Sequence, residues 1–501
     1  MKALLIQHPA PRTTFVVPLG LGYLAAILKK RGVSVKIIDA TAPYAQYNNL
    51  AIAKMLEKEH FDLIGITITT LFANFAYELM EVIAKNKHFI VCGGPHVSLF
   101  PHEALLRGAK VSVVGEGEAA ISEIADYLKG ERNLEDIPGI SYIDRTGAII
   151  DNPARPLIDN LDSLPFPDKE AFNFDDYAQD KIDTSKFGSI LSSRGCPGRC
   201  VYCSKAVFGA RYRFRSPENI ILEMNSLHEH YGLDHFSFLD DTVTLNSKNL
   251  FALCNVISSQ KAPKYTWSCS ARIDLLNAEA LKAMRLSGCV HINYGIESAN
   301  PDTLRRIKKD ISPESIESTV ALTKDCGIDY SINFIWGYPW ESAGEIENSI
   351  NFMKKLGRRA SWINPGGILM PFPGTPIYDE FKEAYGFKDW WLDKFKFTGS
   401  YRLRTTSPLF RYFFFEDLGL LETGGFFNYS RSVKQKIKKA VRYIGNFNLK
   451  NQPFVYYVSG KFIIWVSRVL YGLSPNLELI WQKFFFFILR IKRSGKKNRR
   501  R

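Results

Sequence analysis

The strongest constraint on the fold is an alternation of short apolar runs and amphipathic segments across about the first 130 residues. The runs "KALLIQ", "VKIIDA", "LIGITI", "FIVCGG" and "VSVV" are separated by segments with helical periodicity, such as "FAYELMEVIAKN". Short, continuously apolar strands between helices predict a parallel sheet that is covered on both faces. The amino-terminal part is therefore predicted to be a doubly wound α/β domain, with its ligand site at the carboxyl ends of the strands.

Glycines and polar residues stand where several of these strands are predicted to end. Glycine at such an end lets a ligand approach the backbone closely. Flavodoxin-like domains that bind no large ligand carry similar glycines, so the pattern alone leaves the presence of a ligand open. The candidate residues are Thr67, Thr69, Gly93, Gly94, Pro95, His96, Gly115, Glu116 and Gly117.

A second alternation of strands and helices follows a segment rich in proline, glycine and aspartate at residues 136–185. That segment is predicted to be a hairpin and an ordered linker. The runs "HFSFLDDT", "YTWSCSARID", "HINYGIES" and "YSINFIWGYP" come next, and helices such as "SPENIILEMNSLHEHYG" separate them. With the flanking runs "GSILSS" and "INPGGILMPFPGTP", they predict about six strand–helix units, a barrel-like α/β domain shorter than the usual eight-unit form.

Three cysteines, Cys196, Cys200 and Cys203, fall within the stretch "SSRGCPGRCVYCSK" with the spacing C-x3-C-x2-C. A disulfide uses two thiols and a tetrahedral structural zinc site uses four ligands, so three thiols indicate a metal site with one open coordination position. The alternative interpretation is a zinc knuckle completed by His228 or His230. The remaining cysteines are scattered, mostly in apolar runs such as "FALCNVI", and are interpreted as buried thiols.

Charged and polar residues also follow the later strands of the predicted barrel. Because the chemistry of such barrels takes place at the carboxyl ends of the strands, these groups are predicted to ring one mouth. The alternative for each carboxylate is a solvated loop charge or a salt bridge within the barrel. The candidates are Asp240 and Asp241 after the second strand, Ser270 and Arg272 after the third, Glu297 after the fourth, and Gly337 with Tyr338 after the fifth.

The cysteine spacing, with the aromatic Tyr202 before the last cysteine, resembles the signature of the radical S-adenosylmethionine (radical SAM) superfamily. The resemblance implies that three thiolates hold three irons of a 4Fe-4S cluster, while the fourth iron binds the amino and carboxylate groups of S-adenosylmethionine. An electron from the cluster then cleaves a carbon–sulfur bond and yields a 5′-deoxyadenosyl radical. The protein is expected to orient and shield this chemistry.

The resemblance also assigns S-adenosylmethionine contacts to the barrel loops. The stretch "FLDDT" stands where the family often has Gly-Gly-Glu, so one of its carboxylates is expected to contact the methionine ammonium group. The expected contacts are Asp240 or Asp241 at the amino group, Ser270 and Arg272 at the carboxylate, Glu297 at the ribose, and the backbone around Gly337 near the adenine.

The amino-terminal domain, joined to the barrel through "IPGISY" and "LPFPD", resembles that of the cobalamin-binding subclass of the superfamily. The resemblance spans roughly residues 1–385 and implies a Rossmann-like, flavodoxin-like domain whose strand-end candidates bind cobalamin. One departure concerns His8, because many cobalamin domains carry Asp-x-His-x-x-Gly after the first strand, whereas this chain has "QHPAPR". His8 is therefore expected to cap the strand and not to ligate cobalt.

The excess of basic residues lies in the carboxyl-terminal part of the chain. Residues 401–501 hold 21 Lys or Arg against 4 Asp or Glu, out of 65 and 51 in the whole chain. The rest is nearly neutral, so a nucleic-acid partner is not expected. Cations such as Lys461 and Arg468 interrupt the apolar runs of this part, which excludes a spanning helix. These runs predict either helices lying in an anionic membrane interface or a helical cap packed on the barrel.

Four parts are thus predicted along the chain. No secretory signal is visible at the amino terminus, so we expect a cytoplasmic protein that is peripheral at the membrane if its last part docks there. The parts are a cobalamin-binding Rossmann-like domain at 1–135, a linker with a hairpin at 136–185, a partial, TIM-like radical SAM (β/α)6 barrel at 186–385, and a helical, basic and aromatic extension at 386–501.

The expected function is methyl transfer from cobalamin to an unactivated carbon of a lipid-like or natural-product substrate. The expected cofactors are a 4Fe-4S cluster, S-adenosylmethionine and cobalamin, and the expected protein partner is an electron donor such as flavodoxin or ferredoxin. Two alternatives stay open. One is a radical cyclase or rearrangement enzyme on the same scaffold, and the other is a non-enzymatic electron-transfer or sensory protein that binds a cluster and a corrinoid.

Overall fold

The structure is a computed structural model that describes residues 1–10, 16–42, 45, 47–84, 88–177, 187–364, 367–393 and 425–450. Its first sheet has five parallel strands and an antiparallel hairpin in the order β2-β1-β3-β4-β5-β6-β7. The hairpin predicted within the linker extends this sheet, because β6 pairs with β5. The strands are β1 (Lys2–Gln7), β2 (Ser34–Asp39), β3 (Leu63–Thr67), β4 (Ile90–Gly93), β5 (Val111–Val113), β6 (Ile140–Ile143) and β7 (Ile149–Asp151).

Helices cover both faces of the first sheet. They are α1 (Leu19–Lys30), α2 (Asn49–Lys58), α3 (Ala73–Ile83), α4 (Pro101–Leu106) and α5 (Glu118–Leu128). Alternate residues of β1 face opposite sides: Ala3 and Leu5 belong to the core with α1 and α5, while Leu4 and Ile6 belong to the core with α2 and α3. A strand buried on both faces has to be apolar throughout, and this confirms the predicted doubly wound domain.

The second large sheet contains six parallel strands in the order β8-β11-β12-β13-β14-β15, and a short antiparallel pair, β9 and β10, stands beside it. Among the described strands β8 and β15 form the two edges, which gives the predicted partial barrel. The strands are β8 (Ser189–Ile190), β9 (Ser193–Arg194), β10 (Arg213–Phe214), β11 (His235–Phe238), β12 (Thr266–Ala271), β13 (Cys289–Glu297), β14 (Asp329–Phe334) and β15 (Trp362–Ile363).

The two faces of this sheet differ in polarity. Trp267, Ile292 and Ile332 are buried in one core with the helices that follow the strands. The opposite face is polar, and the hydroxyl groups of Ser237 and Ser268 lie 3.1 Å apart on it. The helices are α6 (Pro217–Tyr231), α7 (Ser247–Ser259), α8 (Ala278–Leu286), α9 (Pro301–Arg306), α10 (Pro313–Asp325), α11 (Ala343–Gly357) and α12 (Pro376–Phe381).

A long helix, α13 (Arg431–Lys450), packs against α11 and the edge strand β15. Its buried side includes Ile437 and Ile444, and the Asn448 amide binds both backbone groups of Ile363 at 3.1 and 2.6 Å. This part of the extension is therefore a helical cap on the barrel. The runs that contain Lys461 and Arg468 lie outside the described residues. In the described part of the chain, no helix combines the length and apolar character needed to cross a bilayer.

Candidate active site

The three cysteines lie on the loop between β9 and β10, which pair antiparallel and hold its two ends together. Gly195 precedes the first cysteine with a φ of +83°, and a Cβ there would collide with the Arg211 carbonyl group. Only glycine fits this conformation and this close approach. Within the loop, the Cys203 N–H donates to the Cys200 carbonyl oxygen over 3.2 Å. The sequence thus forms a tight turn that places the thiols at one end of the barrel.

The thiols interact with one another and with two nearby charges. Burial raises the pKa of Cys203 to about 11, with further contributions from Asp241, Cys200 and Cys196. The Arg272 Nη1 lies 3.7 Å from the Cys200 Sγ. Within the described ranges, no three His, Cys, Asp or Glu side chains already stand together as a metal site. The loop therefore gathers the thiols near one another without bringing them to metal-ligand geometry.

The two aspartates of "FLDDT" occupy different environments. Asp240 is fully buried, and its Oδ1 accepts hydrogen bonds from the Ser192 hydroxyl at 2.9 Å, the Ser193 hydroxyl at 2.6 Å and the Ser193 N–H. Burial raises the pKa of Asp240 to about 6, and its Oδ2 has no hydrogen-bond partner. Asp241 is exposed and lies beside Cys203 and Lys205. Asp240 therefore anchors the strand ends, whereas Asp241 faces the cysteine loop.

A buried ion pair lies under the cysteine loop. The Lys309 Nζ is 2.8 Å from the Glu297 Oε1 and 3.3 Å from the Tyr202 hydroxyl group. Glu297 has a φ of +69°, and the residues on both sides of Lys309, Lys308 and Asp310, have φ values of +56° and +53°. Non-glycine residues rarely adopt this conformation. Sequence reasoning missed Lys309, because only the burial of Glu297 shows that its carboxylate needs a cation.

Arg272 connects this ion pair with the cysteine loop. Its Nη2 donates to the Lys309 carbonyl oxygen over 3.0 Å, and its guanidinium group pairs with Asp274 at 2.8 Å. Ser270 lies on the polar face of β12, where its hydroxyl group accepts a 3.4 Å hydrogen bond from the Asn293 amide. The structure thus brings Arg272 and Glu297 into one cluster with the thiols and leaves Ser270 beside it on the sheet.

Gly337 receives a contact from the carboxyl-terminal segment. Its carbonyl oxygen accepts a 2.6 Å hydrogen bond from the Tyr429 hydroxyl group, just before α13. Gly337 has a φ of +83°, and a Cβ there would lie 2.6 Å from that hydroxyl oxygen. Tyr338 is buried next to it, with a hydroxyl group that has no hydrogen-bond partner. Nothing in the sequence pattern predicted that Tyr429, almost a hundred positions away, would contact Gly337.

A second site lies at the carboxyl ends of the first sheet. It is a cavity of about 220 Å³, and six of the predicted residues line it: Thr67, Gly93, Gly94, Gly115, Glu116 and Gly117. Gly20 of α1 also lines it, and a Cβ at Gly20, Gly93, Gly115 or Gly117 would have no neighbouring atom closer than 3.5 Å. A Cβ at Gly20 would meet open space, and a Cβ at the other three positions would make only ordinary van der Waals contacts. The glycines therefore create the volume of the cavity.

Two other predicted residues line a separate cavity. Thr69 and Pro95 face a space of about 220 Å³ together with Ser204, next to Cys203, and Phe372 from the loop before α12. This second cavity contacts both the amino-terminal domain and the cysteine loop. The strand-end candidates are thus divided between two spaces rather than gathered in one.

His96 and His8 both point into the protein core. The His96 ring nitrogens lie 3.0 Å from the Tyr77 hydroxyl and 3.3 Å from the Glu103 carboxylate and the Thr70 hydroxyl. His8 is also fully buried, with its Nδ1 3.0 Å from the Pro9 carbonyl oxygen and its Nε2 without a partner. Burial lowers the pKa of His8 to about 4. Both rings therefore serve the packing of the domain.

Glu116 takes part in a buried ion cluster that sequence reasoning did not anticipate. Its carboxylate lies 2.8 Å from Arg194 and 2.8 Å from Arg213, and Glu118 lies 2.5 Å from Arg194. All four side chains are at least nine-tenths buried. The arginines flank the cysteine loop and the glutamates follow β5, so the cluster joins the first sheet to the short β9–β10 pair.

Comparison with known proteins supports this two-part organisation. The pattern of the Radical SAM superfamily matches residues 190–353, and that of the B12 binding domain matches residues 10–125. An uncharacterized methyltransferase of Pyrococcus horikoshii is 37% identical over 391 residues, covering 76% of this chain and 83% of the relative. The cytidylyl-2-hydroxyethylphosphonate methyltransferase of Streptomyces wedmorensis is 27% identical, covering 71% of this chain and 76% of the relative.

A solved structure shares the fold. It is the radical S-adenosylmethionine methyltransferase TsrM from Kitasatospora setae, with cobalamin and a 4Fe-4S cluster bound. The match has a TM-score of 0.62 and 20% sequence identity, and it covers 77% of this chain and 75% of that one. The order of a B12-binding domain followed by a radical SAM domain is therefore common to both.

Proposed function

Because the chain belongs to the family of radical SAM enzymes that carry a B12-binding domain, we propose that it methylates an unactivated carbon of a small molecule. The chain is an enzyme of the cobalamin-dependent methyltransferase type, and its cofactors are a 4Fe-4S cluster, S-adenosylmethionine and cobalamin. The cyclase alternative is not favoured, since the relatives described above are methyltransferases. The observation that carries the proposal is the pairing of a three-thiol loop with a glycine-lined cavity in the neighbouring domain.

Cys196, Cys200 and Cys203 are the proposed cluster ligands. A 4Fe-4S cluster held by these thiolates would, with S-adenosylmethionine, supply the radical chemistry that activates the substrate carbon. The Arg272 guanidinium group beside the Cys200 sulfur supplies a positive charge where negative thiolates gather. Arg272 is also paired with Asp274, and the buried Lys309 beneath Tyr202 is paired with Glu297. These groups therefore support the assignment by fixing the surroundings of the loop rather than by adding net positive charge.

We assign the S-adenosylmethionine contacts more narrowly than the sequence did. Asp241 is the better candidate for the methionine amino group, because it is exposed beside the cysteine loop, whereas Asp240 is buried and its Oδ1 is held by Ser192 and Ser193. Arg272 remains the candidate for the carboxylate and Glu297 for the ribose. Ser270 and the backbone around Gly337 stay proposed as the outer parts of the site.

Cobalamin is proposed to occupy the cavities at the carboxyl ends of the first sheet. When bound, it supplies the methyl group for the substrate carbon. The glycine-lined cavity, with its volume of about 220 Å³, accepts a flat aromatic group of the cofactor's nucleotide tail rather than its whole corrin ring. Gly93, Gly94, Gly115 and Gly117, with Thr67, are the proposed contacts there. Thr69 and Pro95 are proposed to face the corrin between this domain and the cysteine loop.

The polar face of the second sheet indicates which kind of substrate the barrel would bind. The Asn293 amide oxygen accepts hydrogen bonds from Ser331 at 2.9 Å, Asn333 at 3.1 Å and Asn364 at 2.6 Å. Neutral amides and hydroxyls bind groups that both donate and accept hydrogen bonds. We therefore propose a natural-product or lipid-like substrate that presents such a polar group to the barrel, with its reacting carbon nearer the cysteine loop.

Two finer proposals concern partners and location. A reduced flavodoxin or ferredoxin is proposed as the electron donor, because cluster chemistry consumes one electron per S-adenosylmethionine cleaved. A cytoplasmic location with peripheral membrane contact is proposed from the aromatic and basic runs of the last fifty residues, which lie beyond α13. Helix α13 itself is not part of the proposed membrane contact, since its apolar side packs on the barrel.

Anaerobic turnover tests the proposed function. Reconstituted protein with dithionite and S-adenosylmethionine should release 5′-deoxyadenosine, and Cys200→Ala should abolish the release. Cys326→Ala is the matched control, because this thiol lies at the end of α10 away from the loop and should retain activity. Protein produced with hydroxocobalamin should also show a corrinoid absorption band. Absence of 5′-deoxyadenosine from protein with an intact cluster, in the presence of substrate-containing extract, would refute the enzyme proposal.

A further inference from the structure

The buried ion cluster of Glu116, Glu118, Arg194 and Arg213 connects the two proposed cofactor sites. Glu116 and Glu118 follow β5 and line the glycine-lined cavity. Arg194 lines the same cavity and stands two residues before Cys196, at the start of the cysteine loop. Arg213 stands opposite Arg194 on β10, at the other end of that loop. One set of contacts thus reaches the wall of the first site and both ends of the second.

Two carboxylates and two aromatic rings surround the guanidinium group of Arg194. Its two terminal nitrogens bind different carboxylates, Glu116 at 2.8 Å and Glu118 at 2.5 Å. Its guanidinium group also lies 5.1 Å from the ring centre of Tyr23 and 5.0 Å from that of Phe208. Both rings line the cavity. A planar guanidinium group held by two carboxylates and two rings has little freedom to move.

Arg213 completes the cluster from the other end of the loop. Its Nη1 lies 2.8 Å from the Glu116 Oε2, and it also donates to the Ile158 carbonyl oxygen at 2.7 Å. The same Glu116 oxygen accepts the Ile158 N–H at 2.8 Å. The cluster contains two positive and two negative groups, so it is neutral as a whole. It therefore supplies geometry rather than a charge for an ionic ligand.

Stability alone does not account for such a cluster. Taking charged groups out of water is costly, and apolar residues of similar volume often stabilise a protein as well or better. The cavity beside the cluster is otherwise lined mainly by apolar side chains and glycines. An apolar contact between the first sheet and the β9–β10 pair would fill the same place, but it would hold the loop less directionally. Directional contacts from one guanidinium group to two carboxylates oppose movement of the loop.

We propose that Arg194 is a positioning residue that holds the cysteine loop at a fixed distance and orientation from the cobalamin cavity, through Glu116 and Glu118. This inference rests on the proposed function. Under that function the radical chemistry would be supplied at the cysteine loop and the methyl group from the cobalamin cavity, so both would have to reach one carbon of the substrate. A fixed relation between the two sites keeps hydrogen removal and methyl delivery on the same atom.

The test compares Arg194→Met with Arg215→Met. Arg215 is a matched control, because it is also buried and ion-paired, with Glu223 at 2.6 Å, and it does not contribute to the described cavity lining. The probe is hydroxocobalamin, which is added stepwise to protein of measured iron content, and its binding is followed by its visible absorption spectrum. Arg194→Met should bind hydroxocobalamin at least tenfold more weakly at unchanged iron content, while Arg215→Met should bind it as the native protein does.

A second readout measures geometry directly. After reduction, the electron-spin interaction between bound cob(II)alamin and the reduced cluster depends on their separation. Native protein and Arg215→Met should show one narrow distribution, whereas Arg194→Met should show a broad or shifted one. If Arg194→Met does not fold, Glu118→Gln serves instead, because it weakens one contact to Arg194 and leaves the pair of Arg213 with Glu116 intact.

The outcomes distinguish the proposed function from the positioning role of Arg194. Native protein that binds no hydroxocobalamin would overturn the proposed function and, with it, the positioning role. Native protein that binds the cofactor, together with a folded Arg194→Met variant of unchanged affinity and unchanged spin interaction, would overturn the positioning role alone. Equal changes in Arg194→Met and Arg215→Met would also overturn it, because they would reflect a general loss of stability.

Discussion

Two substitutions at Gly20 should act separately on the stability of the protein and on its affinity for cobalamin. Gly20 is the second residue of α1 and lines the glycine-lined cavity, and no atom lies within 4 Å of a Cβ built there. Alanine therefore fits without a clash and lowers the conformational entropy of the unfolded chain. We expect Gly20→Ala to raise the free energy of unfolding by about 0.5–1 kcal/mol.

A larger side chain at the same position should close the cavity. Phenylalanine at position 20 would project into a space of about 220 Å³ and take the place of an aromatic group of cobalamin. Losing the burial of one such group costs about 1.5–3 kcal/mol, which corresponds to a roughly 10- to 150-fold weaker affinity. Gly20→Phe should therefore fold like the native protein and bind hydroxocobalamin at least tenfold more weakly.

Gly344 provides the matched control for both substitutions. It is also an exposed second residue of a helix, α11, and a Cβ there would meet only the Ser342 hydroxyl oxygen at 3.8 Å. Gly344→Ala should stabilise the protein to a similar extent, and Gly344→Phe should leave hydroxocobalamin binding unchanged. Denaturant unfolding of the cofactor-free protein and a visible-spectrum titration measure the two quantities. Native affinity in Gly20→Phe would refute the assignment of this cavity to cobalamin.

Three further predictions address the other parts of the site. Asp240→Ala should lower the free energy of unfolding by about 1–3 kcal/mol, because it leaves the buried Ser192 and Ser193 donors without their acceptor. Asp241→Ala should change the free energy of unfolding by no more than about 0.5 kcal/mol. It should instead weaken the binding of S-adenosylmethionine, measured by equilibrium dialysis. Equal dialysis results for both variants would contradict the division of roles. Burial lowers the pKa of His8 in the folded protein from 6.5 to about 4. The contribution of His8 to the free energy of unfolding should therefore be fully present above pH 6.5, and up to about 3 kcal/mol of it should be lost as the pH falls to 4. His8→Leu should remove this pH-dependent loss in denaturant titrations, and an unchanged pH dependence would disprove the prediction. Ile444→Ala should cost about 2–5 kcal/mol in thermal unfolding, because Ile444 is fully buried on the barrel side of α13. A loss below about 1 kcal/mol would show that α13 does not cap the barrel.

The strands could be predicted from sequence because burial on both faces leaves a simple signature. The run "KALLIQ" corresponds to β1, Lys2–Gln7, and every residue inside it faces one of two apolar cores. The barrel strands carry a different signature, with apolar residues on the helix side and polar residues opposite, as in "TWSCSA". Pattern alone thus fixed the class and order of the elements, since both depend on which residues avoid water.

The roles of individual site residues could not be predicted in the same way. Asp240 and Asp241 are neighbours of equal chemistry, and only the packing of β11 against the segment at Ser192 decides which of them is buried. Glu116 looked like a strand-end ligand, but its partners Arg194 and Arg213 lie 78 and 97 residues away. Such pairings depend on tertiary contacts, which leave no periodic trace in the sequence.

The carboxyl-terminal extension also shows that a domain boundary in the sequence does not separate the domains in the structure. Trp391 belongs to the predicted extension, yet its indole nitrogen lies 3.2 Å from Glu103 of the amino-terminal domain, and its ring packs on His96. Tyr429 then binds the carbonyl group of Gly337, and α13 covers the edge strand of the barrel. The same segment therefore contacts both domains on either side of the proposed cofactor sites. A chain that contacts both domains in this way restrains their relative movement, which is the condition that a fixed distance between two cofactors requires.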